Sequence, residues 1–428
     1  MAGNTEFTVQ DLKVLEALGK CKSEECAKEA RSNIALLGIT INVFFDGTEN
    51  NIFNAKKRPG EKSSYGNDKS NVGLMFENLP GANVKVYLEG IGTKKDQKDS
   101  DPGKASGTGD YGIDARVREA FDKAVKEANS TLNGEKPQYV TLNVFGFSRG
   151  ATAARNFVHL VNTQPELFKG WNFGKGIAKK NSGISVNFVG LFDTVASYGG
   201  NFYNDTGDLH LNFEAGYASK VVHLVALDEY RANFSLTNIN SALRLNSRSG
   251  KGKMGYELRI PGAHSDVGGG YLSSTEQRDL GDIDNYSASH REFIFNKGWY
   301  TRSQQVGSSV VYRRAINVQF HKVALAIMLD KARHYAYLNV PEGIAQINGA
   351  DAVSQTIRNI QGILRKWAKD ESHTIWDLDG NSDQAWARWV RNTAIHYSVN
   401  QDTGTDMAAY RMTINREKNQ PKREEHDG

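Results

Sequence analysis

The sequence predicts an α/β fold: a mostly parallel central sheet flanked by helices, with insertions. Three observations predict it. Short apolar runs recur through the first 260 residues, and each ends in a polar or glycine-rich turn, as buried parallel strands do. Between them, apolar residues recur at three- and four-residue spacing, which marks amphipathic helices. At 428 residues, 39% of them hydrophobic, the chain can bury a sizeable core in one large unit.

The elements follow in order. Residues 1–32 read as a charged N-terminal lead-in with Leu12, Val14, Leu15 and Leu18 apolar. The run Ile39–Phe45 is a buried strand ending in the polar turn Asp46-Gly47-Thr48, and Asn83–Leu88 is a second. The Lys-, Asp- and Ser-rich stretch Lys94–Asp110 reads as an exposed loop. Its acids Asp96–Asp101 lack EF-hand spacing, so a solvated loop is preferred to a calcium site. Ile113, Val117, Phe121, Ala124 and Ala128 define a helix. Tyr139–Phe145 is the third strand, Ala151–Val161 a helix, Ser185–Phe192 the fourth strand and Tyr256–Ile260 the fifth. Helices are also expected at Val323–Ala336 and around Trp386–Trp389. The tail from Asn415 is almost wholly polar and is expected to be disordered.

Composition excludes several classes. The charge balance, 53 basic against 49 acidic residues, is +4 and dispersed, which argues against nucleic acid as a partner. No run of 18 apolar residues exists, so no transmembrane helix is expected. Met1–Ala30 has no basic-then-apolar pattern and no small-residue cleavage site, so no Sec signal peptide is expected. Cys21 and Cys26 are too few for a disulfide framework, and no Cys or His partners accompany them for zinc. No metal site and no cofactor are expected. Gly268-Gly269-Gly270 is followed by no Gly-Lys-Ser/Thr, which excludes a P-loop.

The strongest chemical signal is Gly146-Phe147-Ser148-Arg149-Gly150. A bare G-x-S-x-G is weak evidence, but here an apolar strand precedes it and a small-residue helix follows. That is the context of a nucleophile elbow, in which Gly146 and Gly150 let strand and helix approach. A serine hydroxyl needs a base, and the base needs an orienting acid. His264 lies in the loop after the fifth strand, beside three glycines, and is the expected base. Asp193 ends the fourth strand, where a carboxylate faces the ligand crevice of an α/β sheet. It is preferred to Asp228 and to Asp266; Asp266 is assigned instead to holding the glycine loop. The oxyanion needs two backbone donors, assigned to the N–H groups of Arg149 and Gly47. Asp46 either caps that turn or holds Arg149. Phe293, Ile294, Phe295, Trp299 and Tyr300 read equally as an apolar lid, a membrane-contact surface or core.

These blocks resemble a known family. Phe44-Phe45-Asp46-Gly47-Thr48-Glu49-Asn50-Asn51, Gly146–Ala151, Phe192-Asp193-Thr194-Val195, Ala226-Leu227-Asp228-Glu229-Tyr230-Arg231 and Pro261–Tyr271 are similar to signature blocks of one α/β-hydrolase family. It includes the first class of bacterial type VI secretion lipase effectors. The likeness spans roughly residues 40–340, with Glu49 where many relatives carry glycine. It implies a Ser148–Asp193–His264 triad and phospholipase A1 or A2 activity on bacterial membrane glycerophospholipids. It also implies antibacterial toxicity, a cognate immunity protein and a secretion spike or tube carrier. Synthesis in the bacterial cytoplasm and delivery by type VI machinery into the target-cell periplasm go with it. The domain reading is then a lead-in (1–32), a catalytic domain (33–400) with cap or lid insertions near 200–255 and 272–315, and a C-terminal segment (401–428). A soluble carboxylesterase and a non-catalytic hydrolase-like interaction module remain as alternatives.

Overall fold

The computed structural model describes residues 38–59, 61–80, 84–100, 106–134, 136–137, 139–171, 183–199, 209–247, 252–272, 276–279, 284, 286–374, 384–399, 414–415 and 420–428. The lead-in, with Cys21 and Cys26, lies outside them. The centre is a parallel sheet of β1 (Gly38–Phe45), β2 (Val84–Leu88), β3 (Tyr139–Phe147), β4 (Ile184–Phe192), β5 (Lys220–Ala226) and β7 (Gly255–Ile260). Its order is β2-β1-β3-β4-β5-β7. The short β6 (Leu236–Thr237) lies apart from it.

Alternate residues of each strand feed two cores. Phe44, Phe145 and Phe188 face one side, and Val43, Phe45 and Val144 face the other. On the second side lie α2 (Ile113–Thr131) and α3 (Arg149–Thr163), whose buried stripes meet through Phe121 and Phe157 at 4.6 Å between ring centres. The first side is covered by α1 (Asn71–Asn78), α4 (His264–Gly268), α6 (His321–Tyr335) and α7 (Ala352–Asp370). Between α4 and α6 come α5 (Ala288–Asn296) and the antiparallel pair β8 (Glu276–Asp279) and β9 (Arg313–Ile316). The last helix is α8 (Gln384–Thr393). Asn42, in the middle of β1, donates to Val84 O on β2 and accepts from Asn143 on β3, so a polar side chain is satisfied within the buried sheet. Among the described residues no helix is long and apolar enough to cross a membrane.

Two expectations change and one open reading closes. Residues 220–226, assigned by sequence to a cap insertion, are the sheet strand β5; its terminal Lys220 and central His223 disguise an otherwise apolar run. Burial of His223 is compensated, because it bonds Thr194 and Glu257. The aromatic cluster after His264 is largely core: Phe293, Ile294, Trp299 and Tyr300 are buried. Finally, the tail is ordered at its end. Residues 420–428 lie along β6, with Glu425 and His426 paired to Leu236 and Thr237, because their charged groups find specific partners.

Candidate active site

The three residues singled out for chemistry sit at the carboxyl ends of adjacent parts of the sheet. Ser148 stands between β3 and α3 with φ 58° and ψ −130°, a strained conformation for a residue with a side chain. The N–H of Ser148 is held by Phe192 O at 3.0 Å. Tight contacts enforce the turn. A Cβ on Gly146 would stand 2.6 Å from Ala151 Cα, and one on Gly150 would stand 2.2 Å from Asp46 O.

Asp193 follows β4, also at positive φ (41°), with its N–H on Leu224 O at 2.8 Å. His264 opens α4. Its Nδ1 lies 2.6 Å from Asp193 Oδ2, and its N–H donates to Glu229 Oε2 at 3.1 Å. The ring stacks obliquely on Phe147 (4.6 Å) and meets the edge of Phe234 (4.9 Å). All three groups are buried: Asp193 is wholly enclosed, while Ser148 and His264 are each 5% exposed. Neither Ser148 Oγ nor His264 Nε2 has a hydrogen-bond partner among the described residues. Both are therefore available to a substrate.

Burial would raise the Asp193 carboxyl, but the positive charge of Arg423 and the hydrogen bond to His264 outweigh it and hold it well below the usual range. His264 shifts in the same direction for a different reason. Desolvation lowers its pKa, and Arg231 adds to this, while Asp193 opposes. The shift favours the neutral imidazole.

The turn after β1 is laid against the serine. Arg149 is the first residue of α3, where helix geometry directs the N–H out of the turn; its Nε donates to Thr48 Oγ1 at 2.8 Å. Asp46 does not hold Arg149. Its partners are the N–H of Gly47 (2.8 Å), the hydroxyl of Tyr87 (2.5 Å) and the hydroxyl of Ser70. Burial pushes the Asp46 carboxyl up to about 6 despite those bonds. Gly47 therefore differs from its expected role, since its N–H is already donated to Asp46. Thr48 N–H has no acceptor among the described residues.

Asp266 lies beneath the loop that carries His264. Its Oδ2 accepts from Ala263 N–H and His396 N–H, each at 2.8 Å, and its Oδ1 lies 2.7 Å from His396 Nδ1. Asp228, the rejected rival, instead anchors the Gly262 N–H at 3.0 Å and pairs with Arg391. Sequence reasoning missed Arg423, His396 and Phe234; each reaches the site from a distant segment with no motif around it. Two acids of the charged loop are engaged by protein donors: Asp99 by Ser64 and Asp96 by Lys57. Among the described residues no three His, Cys, Asp or Glu side chains converge as a metal site.

A parallel sheet carrying a serine in a strained strand-to-helix turn, with an Asp and a His at later strand ends, is α/β-hydrolase-like. A family model described as "T6SS, Phospholipase effector Tle1-like, catalytic domain" matches residues 40–170 and 171–288. The chain belongs to that family of type VI secretion phospholipase effectors. Among solved structures, the chain is similar to that described as the Tle1 effector bound to the VgrG spike from the type 6 secretion system. The TM-score is 0.56 at 21% identity, covering 92% of this chain and 94% of that one. An uncharacterized protein from Pseudomonas aeruginosa is also similar, at TM-score 0.43 and 16% identity, over 91% of this chain and 56% of that one. Comparison with curated proteins finds no match.

Proposed function

We propose that this protein is a serine phospholipase of the A type, cutting acyl esters of bacterial membrane glycerophospholipids through Ser148, His264 and Asp193. The observation that carries the reading is the 2.6 Å contact of His264 Nδ1 with Asp193 Oδ2, beside a serine held in a strained turn. Membership of a phospholipase effector family supports the substrate class.

Ser148 Oγ attacks the acyl carbonyl as His264 Nε2 takes its proton, and Asp193 stabilises the imidazolium. The oxyanion is met by Arg149 N–H and, from the turn after β1, by Thr48 N–H, because Gly47 is occupied. Collapse of the tetrahedral intermediate expels the lysophospholipid, which takes the proton from His264. Water, deprotonated by His264, then releases the fatty acid. Family membership further supports delivery by type VI machinery to a target-cell periplasm, with an immunity protein protecting the producer. The VgrG spike in the similar structure suggests a spike carrier for this chain too.

The test is mass spectrometry of lipids after incubating phosphatidylethanolamine and phosphatidylglycerol vesicles with wild type and with Ser148→Ala. Lysophospholipid and fatty acid from wild type alone are expected, and the chain lost assigns A1 or A2. Intact vesicle lipid with both proteins, beside cleavage of a short soluble ester, would replace this reading with a carboxylesterase.

A further inference from the structure

The far end of the chain supplies half of the hydrogen bonds that Asp193 accepts. Residues 420–428 dock beside β6, where Leu236 N–H donates to Glu424 O at 2.8 Å and Asn238 N–H to His426 O at 3.0 Å. Arg259 forms a two-bond ion pair with Glu425, and Asp427 accepts from Asn238 and Asn240. This strap carries Arg423 beneath the strand ends, where it is buried. Its Nη1 donates to Asp193 Oδ1 at 2.7 Å and its Nη2 to Asp193 Oδ2 at 2.9 Å. Nη1 also donates to Ala226 O at 2.8 Å, while Nε and Nη2 donate to Phe234 O at 3.1 and 3.0 Å. All five N–H groups of the guanidinium are thus used.

The carboxylate is equally saturated. Besides the two Arg423 bonds, Asp193 Oδ1 accepts from Ala226 N–H at 2.9 Å and Oδ2 from His264 Nδ1. Without Arg423 it would keep one donor per oxygen, and the carboxylate plane could tilt, taking the imidazole with it. A lysine could not reproduce the planar fork.

We propose that Arg423 is a positioning residue for the proposed triad: delivered by the C-terminal strap, it fixes the plane of the Asp193 carboxylate and limits how far that carboxylate raises the basicity of His264. The inference rests on the triad reading above. Its electrostatic half has a definite sign. Removing the guanidinium leaves the Asp193 charge to act on His264 alone, so the imidazole holds its proton to higher pH and the acid limb of the rate profile moves upward. A purely structural Arg423 would lower stability and leave that limb in place.

The experiment compares full-length wild type, Arg423→Ala, Arg423→Lys, Arg259→Ala and Ser148→Ala. It uses phosphatidylglycerol–detergent mixed micelles over about pH 5 to 9, with the folded fraction taken from thermal unfolding. For Arg423→Ala we expect kcat per folded molecule about 10²-fold lower, KM little changed, an acid limb at higher pH, and partial recovery with dilute guanidinium. Arg423→Lys should lose kcat while keeping the limb near its wild-type position. Arg259→Ala, which loosens the strap without touching Asp193, should lower kcat per folded molecule less than Arg423→Ala does and leave the acid limb in place. Wild-type kcat and an unmoved limb in folded Arg423→Ala would overturn the proposal. Should that variant not fold, wild-type kcat in Arg423→Lys would overturn it. A wild type no more active than Ser148→Ala would sink the triad reading itself, which separates the two failures.

Discussion

Gly150→Ala tests how closely the nucleophile turn is fitted to the turn after β1. Gly150 is the second residue of α3, and a Cβ there would lie 2.2 Å from Asp46 O and 2.5 Å from Phe45 O. Both obstacles are backbone, so no side-chain rotation relieves them. A carbon–oxygen contact settles near 3.3 Å, so helix and turn must separate by roughly 1 Å. Such overpacking costs about 1–3 kcal/mol, partly offset by the helix propensity of alanine, worth about 1 kcal/mol over glycine. The melting temperature should therefore fall by only a few degrees. Activity should fall much further. The separation moves Arg149 away from Thr48, the two proposed oxyanion donors, and a 1 Å misplacement costs about 10² in kcat. Gly362→Ala is the control: it is a helical position on α7 where a Cβ would meet nothing within 4 Å, and it should stabilise by about 0.5–1 kcal/mol with activity unchanged. Thermal unfolding and vesicle hydrolysis measure both. Wild-type kcat and stability in Gly150→Ala would refute the close fit.

Two other perturbations follow from buried charges. The Asp46 carboxyl is raised from 3.8 to about 6 by burial, so the native state binds the extra proton. The stability tied to that proton is complete below pH 3.8 and is lost as pH rises through 6, an amount on the order of 3 kcal/mol. Asp46→Asn should remove that part of the slope, so urea unfolding near pH 4 and near pH 7.5 should differ less in the variant than in wild type. Equal slopes would count against a raised carboxyl. Arg391→Met leaves Asp228, which holds the turn before His264, as a buried carboxylate stripped of its Arg391 ion pair. A loss of about 3–5 kcal/mol is expected in chemical denaturation, and a loss under 1 kcal/mol would show that the ion pair contributes little.

Much of the sheet was legible because parallel strands buried on both faces are nearly continuous apolar runs. Ile39–Phe45, Tyr139–Phe145 and Ser185–Phe192 each fall within a residue or two of the observed β1, β3 and β4. The strand β5 was not legible, since Lys220 and His223 interrupt its hydrophobicity and find their partners elsewhere in the chain, Lys220 at Glu371 and Lys253 O, His223 at Glu257 and Thr194. The long helix α7 escaped notice although its buried Ile357, Ile360 and Leu364 keep helical spacing. At the site, Ser148, Asp193 and His264 each sit at a strand end with diagnostic neighbours in the sequence, and the structure brings Asp193 and His264 into contact. Arg423 was not legible: it lies 230 residues from Asp193 in a charged tail, and only the folded strap brings the two together. Gly47 shows a different limit, because which N–H of a turn remains available depends on where the Asp46 side chain points.

The most direct measurement is the site and rate of fluorophosphonate labelling, read by mass spectrometry of the intact protein and its peptides. The account predicts one adduct, on the peptide containing Ser148. It should be absent from Ser148→Ala, much slower in His264→Ala, and faster as pH rises through the titration of the Asp193–His264 pair. No adduct on the folded wild type, or equal labelling of Ser148→Ala, would contradict it.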